Sequence, residues 1–435
     1  MSSTPIKNTK TLKVAVIGAG STYTPELIEG IIKRRDVLPL HEIALMDIDE
    51  RKLGIVGGLC KRMLDHEDMG CKYVQTMDLD EAIAGADFVF AQIRVGKLAA
   101  RILDEKIPLK YNLIGQETTG IGGFFKALRT VPVLLDIARR MERLCPNAVL
   151  INFSNPSGIC AQALSQYSSI KSIGLCNGPI GMVRHPLRVL GLSREDVELE
   201  FLGLNHLSFV SRMVHNGRDL IAEAVHNDEA LLDTLADSID FPKESMRMAQ
   251  ALPVGYLNYF ITPGDMLDKL ASAPQSRGEV CLEIEEELLK MYQDDGLYVK
   301  PELLSKRGGA LYSEAAVSLA ESIWQDDGGE HIVNVRNNGA IPFMADDDVV
   351  ETRTNVYKNG AVPIPVTTDN VYIKTMMQTL KGYERLAVEA AVNGNRAEAI
   401  RALCLNPLIH DVNAATACFD EMLAAHKQYL PNFYK

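Results

Sequence analysis

At 435 residues, 47% hydrophobic and 23% charged, the chain has the composition of a globular protein too long for one ordinary core, so two domains of about 200 residues each are expected. A formal net charge of −12 argues against nucleic acid as a partner, because binding a phosphate backbone needs a basic face. No run reaches the roughly 18 apolar residues of a membrane span, and the polar start with Ser2, Ser3 and Thr4 has no apolar signal core, so no membrane and a cytoplasmic setting are expected.

Val14 to Ile17 is a short, β-branched apolar run suited to a parallel strand covered on both faces. Gly18 and Gly20 then allow a tight turn close to a pyrophosphate, and Thr24 as N-cap, Pro25 and Glu26 start a helix whose N-terminus would face an anion. Tyr23 replaces the third glycine of the usual G-x-G-x-x-G fingerprint, which weakens the signal and keeps a plain glycine turn between strand and helix as the alternative reading. The next strand, His41 to Asp47, ends on a carboxylate placed to accept from a ribose 2′-hydroxyl and to repel a 2′-phosphate, favouring NAD over NADP.

Asp49 can cap a helix running to Met69, Tyr73 to Thr76 reads as a third strand, and Ala86 to Ile93 as a fourth. This alternation predicts a doubly wound parallel, Rossmann-like sheet over residues 1–195. Ligands of such sheets bind at the carboxyl ends of the strands, which puts Arg94 at the cleft mouth unless it is simply a solvated arginine. Gly115 to Gly123 is a polar, glycine-rich loop, either a site edge or a flexible connector, and Glu117 is its one charged residue. Ala148 to Phe153 is the fifth strand; Asn155 lies at its carboxyl end, before a proline, where asparagine also serves plain turn chemistry. Ser172 to Leu175 is the sixth strand and ends on Cys176.

Over 196–435 the pattern becomes that of an α+β domain: strands at 197–204 and 207–215 meet at Asn205-His206, Asn216-Gly217 makes a hairpin turn, helices follow from Pro242, strand and loop return at 333–342 and 349–365, and the end is helical.

The eight cysteines are scattered without paired spacing, so most read as core hydrophobes. Cys176 and His206 each read, alone, as a core cysteine and a satisfied histidine. Their places at a strand end and a strand break also suit a metal with several open positions, whereas a structural zinc would need four protein ligands. Tyr256 and Tyr259 are spaced to pack a helix, and a tyrosine near a cation could instead abstract a proton.

Gly18-Ala-Gly-Ser-Thr22, Gln92-Ile-Arg-Val-Gly96, Ile114-Gly-Gln-Glu-Thr118, Asn152-Phe-Ser-Asn-Pro156, Cys176-Asn-Gly-Pro179, Gly203-Leu-Asn-His206 and Pro253-Val-Gly-Tyr-Leu-Asn-Tyr259 follow one another in the order and spacing of the family 4 glycoside hydrolases. Over nearly its whole length the chain resembles that family, and within it the 6-phospho-β-glucosidases. The resemblance implies a lactate/malate dehydrogenase-like fold, bound NAD, a divalent metal, usually Mn2+, and hydrolysis outside the two-carboxylate scheme. It implies the following roles. Gly18, Gly20, Ser21, Thr22 and Asp47 hold NAD, Cys176 and His206 the metal; Tyr256 is the base and Glu117 raises its basicity. Arg94, Asn155 and Asn177 contact substrate, with Arg277, in Ser276-Arg-Gly-Glu279, on a phosphate. Asn177 stands where branches acting on α-glycosides carry an aspartate acid, which favours a β-glycoside; Gly178 departs from the larger apolar residue of that motif. The implied substrate is a phosphorylated disaccharide or aryl β-glucoside 6-phosphate, cleaved to glucose 6-phosphate and aglycone, and the implied assembly a homodimer or homotetramer. The rival reading is an NAD-dependent 2-hydroxy acid dehydrogenase, which needs no metal-binding cysteine.

Overall fold

Strand β1 (Leu12–Ile17) is buried along its whole length, and its side chains divide between two cores: Ala15 and Ile17 face one, Leu12, Val14 and Val16 the other. Being covered on both faces is what makes its run continuously apolar. The computed structural model, which describes residues 11–307 and 312–435, places β2 (Leu40–Met46), β3 (Lys72–Thr76), β4 (Phe88–Ala91), β5 (Val149–Asn152) and β6 (Lys171–Gly174) parallel to it, in the order β3-β2-β1-β4-β5-β6. This is the α/β, Rossmann-like arrangement, and its strand order reverses between β1 and β4, where a crevice opens at the carboxyl ends.

The second half adds its strands to the same sheet. Its strands are β7 (Glu198–Leu204), β8 (Leu207–His215), β9 (Arg218–Asp219), β10 (Leu252–Pro253), β11 (Gly329–Arg336), β12 (Val349–Tyr357) and β13 (Gly360–Pro363). β11 pairs antiparallel with β6 at Asn334 and Gly174, so both halves belong to one 13-stranded sheet. The two cores likewise draw on both halves, one running from Ala15 to Leu430 and the other from Leu12 to Val356. The expected division at 195/196 falls where the strand direction changes, with the sheet continuous across it; β11 covers the backbone edge that β6 would otherwise expose.

Three local expectations need correction. Tyr23, not Thr24, occupies the N-cap position of the helix Thr24–Ile32; the Thr24 hydroxyl instead donates to the Ala19 carbonyl at 2.8 Å and accepts from the Gln92 amide at 2.7 Å, tying the glycine turn to the end of β4. The helix capped by Asp49 ends at His66, short of Met69. Gly115 to Gly123 is packed: a Cβ on Gly122 would lie 2.7 Å from the Asp104 carbonyl oxygen and one on Gly123 2.3 Å from the Thr118 carbonyl carbon, so this segment enters the helix Gly120–Leu144 in one tight conformation. The Asn216-Gly217 turn has φ of 51° and 78°, both left-handed, as a type I′ hairpin requires.

Candidate active site

A cavity of about 1100 Å³ lies at the carboxyl ends of β1, β4 and β5. Gly18, with φ 85°, begins its wall, and a Cβ there would stand 2.9 Å from the Gln92 carbonyl oxygen. Gly20, Ser21 and Asp47 also line it. The Gly20 amide donates to Asp47 Oδ2 at 2.8 Å, so this glycine lets the turn close onto the carboxylate at the end of β2. Thr22, expected beside Ser21 at the cofactor, is fully buried and off the cavity wall: its carbonyl accepts from the Tyr292 hydroxyl at 2.8 Å and its side chain contacts Arg307.

Across the crevice, Glu117 is the counter-ion of three cations from three separate segments. Arg94 Nη1 and Lys126 Nζ each reach Oε1 at 2.5 Å, and Arg101 Nη1 reaches Oε2 at 2.6 Å. Burial alone would raise this carboxyl, but Arg94, Lys126 and Arg101 outweigh it and hold Glu117 well below the usual carboxylate range. Glu117 is behind the wall, while Arg94, Arg101 and Lys126 line it. Glu117→Gln leaves these cations without their anion and is expected to cost about 3–5 kcal/mol of stability, read by urea unfolding. Since the folded-state pKa is depressed, the wild type carries this contribution above an unfolded pKa of about 4.3 and loses it as pH falls through the folded value. The stability gap to Glu117→Gln should therefore narrow in acid.

The third wall joins β6 to the β7–β8 hairpin. Cys176 follows β6, and its Sγ lies 3.5 Å from His206 Nε2. His206 occupies the two-residue turn between β7 and β8 with φ 65°, a conformation unusual for a non-glycine residue and typical of a functional constraint. The Tyr256 ring centroid is 4.0 Å from that of His206. Burial drives the His206 pKa down to about 3, so its imidazole is neutral and has a lone pair to offer, whereas burial and Glu351 push the Cys176 thiol up. The Gly178 amide donates to Cys176 Sγ at 3.4 Å. Burial, Cys176 and Glu117 all push the Tyr256 phenol upward.

Asn155 and Asn177 share the cavity with His206 and Tyr256, and Asn155 Oδ1 is buried with no hydrogen-bond partner among the described residues. A neutral imidazole and a thiol 3.5 Å apart are donors that fit a divalent cation with positions left for substrate oxygens. No group of three or more His, Cys, Asp or Glu gathers as a closed cage among the described residues.

Arg277 is not in this cavity. It is exposed, and its Nη2 donates to the carbonyls of Lys306 and Arg307 at 3.1 and 2.9 Å. Arg307 does line the cavity, with its guanidinium 4.9 Å from the Tyr23 ring and 3.0 Å from Glu285. No motif announces Arg307, and Lys126 left one trace in the sequence, a lysine inside the apolar run of the helix Gly120–Leu144.

Two family models cover this chain: family 4 glycosyl hydrolase over residues 13–192 and family 4 glycosyl hydrolase C-terminal domain over residues 201–409. A 6-phospho-β-glucosidase of Escherichia coli is 39% identical, over 97% of this chain and 97% of that one. The structure of a Thermotoga maritima 6-phospho-β-glucosidase with manganese, NAD+ and glucose 6-phosphate superposes with a TM-score of 0.87 at 34% identity, covering 96% of this chain and 99% of that one. A malate dehydrogenase of Plasmodium falciparum shares the fold at 15% identity and a TM-score of 0.53, covering 88% of this chain and all of its own.

Proposed function

Because this chain belongs to the family 4 glycosyl hydrolases, we propose that it cleaves 6-phospho-β-glucosides to glucose 6-phosphate and aglycone, with NAD and a divalent metal, Mn2+, bound in the cavity. The observation that carries this reading is the contact of Cys176 with His206 just behind the wall where His206 and Tyr256 line a cavity that begins at the Gly18 turn. Gly18, Gly20, Ser21 and Asp47 would hold NAD, with the exposed Ile48 and Met77 beside Asp47 offering an apolar face to a flat base. Cys176 and His206 would hold the metal.

When bound, NAD accepts and later returns a hydride at sugar C3, and the metal polarises the C2 and C3 oxygens. Tyr256 takes the C2 proton made acidic by the C3 ketone, which lets the aglycone leave C1 and water add there. Arg94, Asn155 and Asn177 orient the sugar, and Asn177, being no acid, suits a β-linked leaving group. The reading includes a cytoplasmic setting, supported by eight unpaired cysteines, and a homodimer or homotetramer, which light scattering on the purified protein decides.

The test is incubation with NAD, Mn2+, a thiol and a chromogenic 6-phospho-β-glucoside. Aglycone release without net NADH is expected; stoichiometric NADH without aglycone would make the protein a dehydrogenase. For the 6-phosphate, we assign Arg94 and Arg307, two of the guanidiniums that line the cavity, with Arg277 supporting Arg307 through the backbone. Arg307→Ala should lower kcat/KM for the phosphorylated substrate by about 10- to 100-fold, the scale of a lost charge-assisted contact, and Arg277→Ala by less. The reverse order would return the phosphate to Arg277.

A further inference from the structure

Glu351, on β12, is 1% exposed, and no described lysine or arginine pairs with it. In the sheet it stands opposite Asn334 of β11 on one side and Gly203 of β7 on the other. Its Oε1 accepts from two side-chain amides: Asn334 Nδ2 at 3.0 Å and Asn205 Nδ2 at 3.2 Å.

Each amide leads to one side of the Cys176–His206 pair. Asn205 immediately precedes His206 in the hairpin turn, and its Oδ1 accepts from the Gly158 backbone at 3.3 Å. Asn334 Nδ2 also donates to the Gly174 carbonyl at 3.4 Å, two residues before Cys176. A Cβ on Gly174 would lie 3.0 Å from Asn334 Cβ, so the end of β6 rests directly on this asparagine. One carboxylate oxygen therefore ties the turn that aims the imidazole to the strand end that presents the thiol.

We propose that Glu351 is the positioning residue of the metal site, holding Cys176 and His206 at a common point through Asn205 and Asn334. This rests on the metal reading above. Outer partners of this kind set the orientation of the ligands, and their loss typically weakens metal binding 10- to 100-fold.

The experiment compares wild type, Glu351→Leu and Glu351→Gln, measuring the Mn2+ Kd by paramagnetic resonance of free Mn2+, the near-ultraviolet thiolate-to-cobalt band of the Co2+-loaded protein, and NAD affinity. Glu351→Leu, which removes the acceptor, should weaken Mn2+ by 10- to 100-fold and shift or lose the cobalt band while NAD affinity stays unchanged. Glu351→Gln, which keeps an oxygen acceptor, should recover most of the affinity. A role confined to gluing strands together would lower stability and leave the Kd and the cobalt band of the folded protein alone, and that result overturns the inference. Where Glu351→Leu does not fold, Asn205→Ala decides by the same criteria. Wild-type protein that binds neither ion would bring down the metal reading itself, whereas wild-type binding matched by Glu351→Leu sinks this inference alone.

Discussion

Cys176→Ser is expected to reduce Mn2+-dependent turnover to background while NAD affinity and the fold persist. The protein offers one sulfur and one imidazole, 3.5 Å apart, and the described residues hold no third acidic, cysteine or histidine group that could take over. A serine hydroxyl is far harder to deprotonate than a thiol, so the variant keeps the shape of the site and loses its anionic ligand. Cys176 is 3% exposed and follows a buried strand, and an oxygen in place of the sulfur is small enough to leave that packing intact. The check is a pair of titrations, Mn2+ followed by activity and NAD followed by fluorescence quenching. Full activity with wild-type Mn2+ dependence would remove Cys176 from the metal.

Tyr256→Phe should slow turnover by about 100- to 10,000-fold, the range for loss of a positioned proton-transfer group. The ring packs 4.0 Å from His206 and 6.5 Å from Tyr259, contacts that phenylalanine retains. What disappears is one oxygen. The elimination route makes a separate demand: wild type should react more slowly with substrate deuterated at C2, and product formed in heavy water should carry deuterium there. Direct displacement at C1 gives neither. Burial, Cys176 and Glu117 raise the Tyr256 phenol, so it holds its proton tightly until positive charge arrives beside it, and once ionised it is a strong base. Tyr256→Phe should suppress C2 exchange in step with turnover. Exchange that continues undiminished would move the role to Tyr259, whose ring lies next along the same segment.

Under the proposed function Glu117 would act on the same proton from behind the cavity wall. Its ion pairs with Arg94, Arg101 and Lys126 place a fixed negative charge behind the wall and three cations on it, so replacing it should disturb the fold before it disturbs the chemistry.

The sequence by itself determined the parallel half of the sheet, the glycine turn and the family, because these depend on neighbours in the chain. A continuous apolar run of β-branched residues declares a doubly covered strand, Asn216-Gly217 declares a hairpin by its backbone preference alone, and the family's motifs keep their spacing wherever their elements pack. Tertiary structure decided what depends on partners far along the chain. It joined the strands of the two expected domains in one sheet through Asn334 and Gly174, and it set Arg277 outside the cavity with Arg307 inside it. It also turned Thr22 inward, and it gathered Arg94, Arg101 and Lys126 around Glu117. A charged residue's spacing does not say which opposite charge it will meet. That pairing is chosen only when burial makes an unmatched ion too costly to leave, and burial is a property of the folded chain.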